Sequence, residues 1–227
     1  IKFANKNGDQ LHAWYFKSTG SKYVALIHHG NAGNITNRLM IVRDFLQLGV
    51  SVFLYDYRGY GLSSGKPTIS GLIEDGECAY DYVTNDLKYQ PDQIIIYGES
   101  IGSGVAVRVA KDRPCAGLIL QSPPMSLPEV AGDGVIWLKL YPQWVFPEPQ
   151  LRTKDLIAQQ KGPILFIHGM KDTLVLPRHG QGLFALAQEP KQLVLLPNSG
   201  HNDIQDKDET EYFAALSKFV ESIKSSK

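Results

Sequence analysis

The composition of this 227-residue chain is that of a globular protein, with 43% hydrophobic and 20% charged residues. Lys+Arg and Asp+Glu balance at 23 each, which argues against the basic stripe of a nucleic-acid-binding protein. No apolar run approaches the ~20 residues of a membrane span, so we expect a soluble domain. Because the chain begins at Ile1 and not at methionine, we expect it to be processed or trimmed. A membrane-tethering segment upstream of it stays an open alternative.

Strand and helix patterns alternate along most of the chain. Residues 1–18 predict two strands around an Asn7-Gly8 turn, which is typical of a β-hairpin. Short, continuously apolar strands follow, separated by helix-period stretches, and this is typical of a parallel sheet covered on both faces. The predicted strands are 23–28, 50–55, 93–97, 117–120, 164–167 and 192–196. The predicted helices are 39–48, 71–83, 101–113, 179–187 and 206–223.

The alternation is interrupted over about 122–160, a proline-rich and apolar segment. No second core is evident there, so we interpret 1–227 as one domain with a cap insertion at about 122–160. The most apolar part of the insertion contains Trp137, Tyr141 and Trp144. Two interpretations stay open: these side chains pack the cap against the sheet edge, or they line an apolar pocket or touch a membrane surface.

The most informative motif is Gly98-Glu99-Ser100-Ile101-Gly102, which lies between an apolar strand and a helix pattern. A serine in a sharp strand-to-helix turn is typical of the nucleophile elbow of serine hydrolases. That turn leaves no room for side chains two residues to either side of the serine, and both positions are glycine. The helix behind the serine directs its free N–H groups toward a developing oxyanion.

A serine nucleophile needs a base and a third group that orients the base. In an open parallel sheet, functional loops lie beyond the carboxyl ends of the strands. His201, between the last strand and the last helix, fits that rule and is our candidate base. Asp172, just past the strand 164–167, is our candidate acid, with a turn-capping role as the alternative. His12 and His179 occupy a hairpin and a surface-like helix start, so we set them aside.

The oxyanion hole requires two N–H donors. One is expected from Ile101, after the nucleophile, and the other from Asn31, in the loop after an early strand. We interpret Asp56 and Arg58 as an internal ion pair or as hydrogen-bond support for that loop. The acids at the start of the last helix are interpreted as capping and solvated charge: Asp203, Asp206, Asp208 and Glu209. Cys78 and Cys115 are interpreted as buried free thiols.

The order Ser100, Asp172, His201, preceded by His29-Gly30-Asn31, resembles the α/β-hydrolase superfamily. The segment 55–65 is similar to the loop after the fourth strand of that fold. Within the superfamily, 29–34 and 98–102 resemble small-cap hydrolase-domain proteins. The resemblance implies a mostly parallel sheet of about eight strands flanked by helices. It also implies that a membrane anchor often precedes the domain, and that some relatives remove acyl groups from protein thioesters.

The sequence therefore predicts a serine hydrolase that cleaves carboxylic esters or thioesters through an acyl-enzyme on Ser100. The expected partner is a small or lipid-like acyl ester or thioester, with membrane-surface contact through the cap or an upstream segment left open. If Trp137, Tyr141 and Trp144 line an acyl pocket, the substrate carries an acyl chain of medium length or longer. We expect no cofactor, no metal and no nucleic acid. Two alternatives stay open: a hydrolase fold that keeps the triad but acts as a ligand-binding receptor or scaffold, and a serine peptidase acting on small peptides.

Overall fold

The computed structural model describes residues 1–134 and 151–225. Within them, eight strands form one sheet in the order β1-β2-β4-β3-β5-β6-β7-β8. The first two strands run antiparallel to their neighbours and the others pair in parallel. The strands are β1 Lys2–Ala4, β2 Gln10–Phe16, β3 Val24–His28, β4 Ser51–Tyr55, β5 Ile94–Glu99, β6 Gly117–Gln121, β7 Ile164–Gly169 and β8 Lys191–Leu196.

Helices connect the strands and cover both faces of the sheet. They are α1 Leu39–Gln47, α2 Ile69–Asn85, α3 Ile101–Asp112, α4 Leu127–Gly134, α5 Thr153–Ile157, α6 Arg178–Leu186, α7 Ile204–Lys207 and α8 Glu209–Ser225. Short 3-10 turns span Ile35–Arg38 and Pro91–Gln93. None of the helices in the described segments is both long and apolar enough to cross a membrane.

The core lies on both faces of the sheet because successive side chains of a strand point to opposite sides. In β5, Ile94 and Ile96 join the cluster packed under α2 and α3, whereas Ile95 and Tyr97 join the cluster packed under α1 and α8. Every residue of β3, β4 and β5 is buried, as the continuous apolar runs predict. The predicted mostly parallel α/β sheet is confirmed.

The strand order reverses next to β3, and this reversal creates the functional crevice. The chain passes from β3 through α1 to β4 on one side, and then returns through α2 to β5 on the other side of β3. The loops after β3 and β5 therefore leave neighbouring strands in different directions, with His28 opposite Gly98 in the register. In doubly wound sheets, ligands bind in the crevice outside the strand ends at such a point.

The predicted element boundaries differ from the structure mainly in the helices near the site. The last helix pattern, predicted as 206–223, is two helices, α7 and α8, which meet at Asp208. Of the interrupted segment, the structure describes 122–134 and 151–160, which contain α4 and α5. The three aromatic residues predicted to line an acyl pocket, Trp137, Tyr141 and Trp144, lie outside the described residues.

Candidate active site

Ser100 occupies a tight turn between β5 and α3. Its backbone has φ +53° and ψ −122°, in the left-handed half of conformational space that non-glycine residues rarely adopt. The turn is held by the Ser100 N–H, which donates to the Gln121 carbonyl at 2.9 Å, and by the Ser103 hydroxyl, which donates to the Gly98 carbonyl at 2.9 Å. The serine is therefore fixed at the start of a helix, with its side chain free to reach beyond the sheet edge.

The two glycines of the turn are required by backbone packing. A Cβ at Gly98 would lie 2.5 Å from the Cα of Ser103, and one at Gly102 would lie 2.1 Å from the carbonyl oxygen of His28. Neither contact is sterically possible without a backbone shift. The close approach at Gly102 also shows that the start of α3 packs directly on the end of β3, which brings the loop after β3 beside Ser100.

The structure brings Ser100, His201 and Asp172 into one chain of hydrogen bonds. Ser100 Oγ lies 3.0 Å from His201 Nε2, and His201 Nδ1 lies 2.7 Å from Asp172 Oδ2. An ionised carboxylate only accepts hydrogen bonds, so Nδ1 carries the ring proton of a neutral imidazole. The lone pair on Nε2 is then left to accept the Ser100 proton. The arrangement can generate a serine nucleophile, and the catalytic role of each residue stays a prediction.

Asp172 is held as a buried carboxylate at the end of β7. One oxygen, Oδ1, accepts the backbone N–H groups of Leu174 at 2.9 Å and Val175 at 2.8 Å. The other, Oδ2, faces His201 and lies 3.4 Å from His168 Nε2. Burial alone would raise the pKa of Asp172, but the nearby His168 ring and the hydrogen bonds donated by His201 and the Val175 N–H hold its pKa well below the usual value. The carboxylate therefore stays ionised at neutral pH and can orient the imidazole.

The loop that carries His201 is held by two acids that follow it in the chain. Asp208 accepts the Asn198 backbone N–H at 3.0 Å and its side-chain amide at 2.8 Å, and it also accepts the Ser199 hydroxyl. Asp203 accepts the Gly200 N–H at 2.6 Å. Asp208 is only 2% exposed, so its interpretation as solvated charge is wrong. It lies at the break between α7 and α8, where it anchors the loop through these hydrogen bonds.

The loop after β3, which contains the predicted oxyanion donor Asn31, is braced by the loop after β4. The Tyr60 hydroxyl donates to Asn31 Oδ1 at 2.6 Å, and the Tyr57 hydroxyl donates to the His29 carbonyl at 3.3 Å. Asp56 Oδ1 accepts the Ile35 N–H at 3.0 Å, which is the loop support predicted for this acid. The second predicted donor, Ile101, is the first residue of α3, whose leading N–H groups have no acceptor within the helix. The oxyanion role of the two N–H groups stays a prediction.

A buried ion pair joins the same loop to the residue before Ser100. Arg38 Nε donates to Glu99 Oε2 at 2.8 Å, Nη2 donates to Oε1 at 3.3 Å, and Nη1 donates to the Ala32 carbonyl at 2.7 Å. Arg38 and Glu99 are 7% and 9% exposed. Because 61 residues separate them, no local sequence pattern indicates this pairing.

Comparisons with known proteins identify relatives of this chain. Residues 20–160 match the family model described as serine aminopeptidase, S33. An uncharacterized protein of Mycobacterium tuberculosis is 36% identical over 95% of this chain and 76% of its own length. The alpha/beta hydrolase domain-containing protein WAV2 of Arabidopsis thaliana is 33% identical over 89% of this chain and 72% of its own. This chain belongs to the α/β-hydrolase superfamily.

Solved structures share the fold of this α/β-hydrolase. An esterase of Pyrococcus furiosus has a TM-score of 0.82 at 21% identity and covers 98% of this chain and 89% of its own. The enzyme Est1E of Butyrivibrio proteoclasticus, solved with ferulic acid bound, has a TM-score of 0.80 at 19% identity and covers 99% of each chain. The resemblance predicted from the sequence is confirmed at the level of superfamily and fold.

Three other histidines of this α/β-hydrolase are fully buried, each with a hydrogen-bond partner. His28 and His29 are fully buried at the end of β3, where His28 Nδ1 lies 2.7 Å from the Tyr55 hydroxyl and His29 Nδ1 lies 2.7 Å from the Gly30 carbonyl. Burial lowers the pKa of His28 to about 3 and also lowers the pKa of His29. The surface-like placement of His179 is wrong, because it is fully buried and its Nε2 lies 2.9 Å from Asp133 Oδ2.

Sequence reasoning missed several residues that hold the site. Arg38 and Glu99 meet across 61 residues of sequence, and Asp208 binds a loop nine or ten residues earlier, so no spacing rule points to them. Tyr60 lies within the segment 55–65 that carries the superfamily resemblance. A hydrogen bond from its hydroxyl to a neighbouring loop could therefore have been predicted from the sequence. Arg58 forms an internal ion pair, but its partner is Asp75, at 2.7 Å, and not Asp56. Cys78 and Cys115 are free, but each is only partly buried.

Proposed function

We propose that this α/β-hydrolase is a serine hydrolase that cleaves carboxylic esters or thioesters through an acyl-enzyme on Ser100. The observation that carries the proposal is the chain of hydrogen bonds from Ser100 Oγ through His201 to the ionised Asp172, at 3.0 and 2.7 Å. Its position at the strand-order reversal of a fold shared with esterases supports the same function. The membership of a hydrolase superfamily supports the reaction class.

The proposed reaction begins when Ser100 Oγ attacks the carbonyl carbon of the substrate and His201 Nε2 takes its proton. Asp172 keeps the ring oriented and stabilises the imidazolium. The N–H groups of Asn31 and Ile101 would stabilise the oxyanion, and losing one such donor costs about 3 kcal/mol in a well-studied protease. The bond to the alcohol or thiol then breaks, and His201 returns the proton to that leaving atom.

The second half of the reaction repeats the first with water as the nucleophile. Water attacks the acyl group on Ser100, His201 takes the proton from the water, and the serine leaves with that proton as the carboxylic acid is released. No residue changes its net protonation over the cycle. The acyl pocket proposed at Trp137, Tyr141 and Trp144 stays a prediction, because those residues lie outside the described ones.

The experiment that tests the function is covalent labelling combined with a substrate panel. A fluorophosphonate probe should label the wild-type protein on Ser100, and Ser100→Ala should abolish labelling and hydrolysis while the circular dichroism spectrum stays native. Removal of a triad serine typically lowers kcat by about 10⁶-fold. The panel contains nitrophenyl esters of increasing chain length, an acyl thioester and an aminoacyl amide.

The outcomes of that panel separate the alternatives. Hydrolysis of esters or thioesters without the amide supports the proposal. Preferential hydrolysis of the amide would instead favour a peptidase, which is a second candidate because the matching family is described as serine aminopeptidase, S33. Labelling without turnover of any substrate would contradict an enzymatic role and favour a binding function.

A further inference from the structure

A cleft of about 360 Å³ lies on the α1 side of the sheet, and its lining combines polar side chains with the apolar Met40 and Ile41. Its walls include Glu99, which precedes Ser100, and Asn202, which follows His201. Gln121 forms part of the cleft and also accepts the Ser100 backbone N–H. The volume is within the range of about 300–1,000 Å³ that is typical of small-molecule sites. The cleft is therefore adjacent to the proposed reaction centre on both its serine and its histidine side.

The lining of the cleft offers hydrogen bonds without an available positive charge. Arg38 is the only cation among the described lining residues, and its charge is matched by Glu99 at 2.8 Å. The other polar lining residues are Asn37, Gln121, Asn202, Gln205 and Asp206. Four of these five carry carboxamides, which both donate and accept hydrogen bonds, and the exposed acid Asp206 makes the cleft unfavourable for an anion.

The polar side chains of the cleft are partly held in place. Gln205 Nε2 donates to Gln121 Oε1 at 3.0 Å, and that oxygen also accepts the Tyr97 hydroxyl. Side chains fixed by such bonds lose less conformational entropy when a ligand binds. An alkyl chain would contact the apolar Met40 and Ile41, but over the carboxamides it would displace water without replacing the lost hydrogen bonds, which is unfavourable.

We infer that this cleft binds the leaving-group side of the substrate, and that this group is uncharged and rich in hydroxyl or amide groups. The inference rests on the proposed hydrolysis at Ser100. The leaving group is assigned to this side because His201 Nε2 has to protonate the leaving atom, and the segment 202–206 that follows His201 forms one wall of the cleft. The substrate class is thus an acyl ester or thioester of a small, neutral, polar alcohol or thiol.

The test compares three butyrate esters whose leaving groups have similar size: propyl, 2,3-dihydroxypropyl and 2-carboxyethyl. In the wild type, kcat/KM should rank dihydroxypropyl above propyl and carboxyethyl. Gln205→Leu should lower the preference for dihydroxypropyl over propyl about three- to tenfold, the effect of one lost neutral hydrogen bond. Asp206→Lys, at an exposed position, should raise kcat/KM for the carboxyethyl ester about three- to tenfold relative to propyl.

Two controls make the outcomes decisive. Glu211→Lys makes the same charge change at an exposed position of α8 outside the cleft, and it should leave the ranking unchanged. In a second series the acyl group varies and the alcohol stays dihydroxypropyl, and neither cleft variant should alter those ratios. A wild type that hydrolyses all three esters equally, or cleft variants that change acyl rather than alcohol selectivity, would overturn the inference alone. A wild type that neither hydrolyses esters nor reacts with a fluorophosphonate would overturn the proposed function, and the inference with it.

Discussion

At the residue scale, the site depends on charges that are buried and satisfied. Asp172 keeps its charge because two backbone N–H groups and two histidines surround it. Arg38 and Glu99 keep theirs because each is the partner of the other, and the pair links the loop after β3 to the turn that holds Ser100. A buried charge without its partner is strongly destabilising, whereas an apolar replacement of the whole pair is often tolerated. The pair should therefore respond differently to single and double substitution.

Arg38→Met should lower the free energy of unfolding by about 3–5 kcal/mol, because Glu99 is left buried and unpaired. The double variant Arg38→Met/Glu99→Leu should recover most of that loss, since no uncompensated charge remains. Urea unfolding followed by circular dichroism measures both. Equal stability of the single and double variants would show that the pair is not the origin of the effect.

At the element scale, the site is assembled from the ends of neighbouring strands and from one helix break. The loops after β7 and β8 pack backbone to backbone, since a Cβ at Gly169 would lie 2.5 Å from the carbonyl oxygens of Ser199 and Gly200. The break between α7 and α8 then presents Asp208 to the loop that carries His201. The carboxylate at the break therefore helps to hold the loop that positions the imidazole.

Asp208→Ala should lower kcat about tenfold or more with little change in KM, because the His201 loop loses its side-chain anchors and a misplacement near 1 Å costs about 10²-fold. Asp208→Asn keeps one acceptor oxygen, in its carboxamide, so its kcat should lie between those of the wild type and Asp208→Ala. Ester hydrolysis and the rate of fluorophosphonate labelling measure the effect. The matched control is Glu209→Ala, the next residue, which is exposed and should leave kcat unchanged. If Asp208→Ala keeps the kcat of that control, the loop does not need its anchor.

At the scale of the whole molecule, burying neutral histidines makes stability depend on pH. His28, His29 and His179 are fully buried, and burial lowers the pKa of each. The unfolded chain binds protons at these positions as the pH falls below 6.5, the ordinary histidine value, whereas folded His28 does so only near pH 3. Acidification therefore favours the unfolded state. Asp172, whose pKa is lowered, adds to the loss only as the pH falls below its ordinary 3.8.

Between pH 6 and pH 5, His28 alone should lower the free energy of unfolding by about 1.4 kcal/mol per pH unit. His28→Asn, which keeps a polar group near the Tyr55 hydroxyl but cannot be protonated, should reduce the slope by that amount. Urea unfolding of both proteins at pH 7, 6 and 5 gives the slopes. Parallel curves for the two proteins would mean that His28 takes up a proton in the folded state.

The sequence by itself determined the features that depend on neighbouring residues. Continuous apolar runs indicated buried parallel strands, Asn7-Gly8 indicated a hairpin, and glycines at 98 and 102 indicated a turn with no space for side chains. The order of Ser100, Asp172 and His201 followed from the rule that functional loops lie beyond strand ends. Each of these signals is local, because strand periodicity, turn geometry and steric exclusion act within a few residues.

Only the tertiary structure decided which distant residues meet. The placement of β3 between β4 and β5 sets the loop of Asn31 beside Ser100, and the same neighbourhood pairs Arg38 with Glu99. Helix periodicity gave no sign of the break at Asp208, because the groups that donate to its carboxylate, from Asn198 and Ser199, lie nine or ten residues earlier in the chain. Burial of His179 likewise depends on Asp133, 46 residues earlier. Contacts of this kind depend on the order of strands in the sheet and on exclusion of water, which no local pattern encodes.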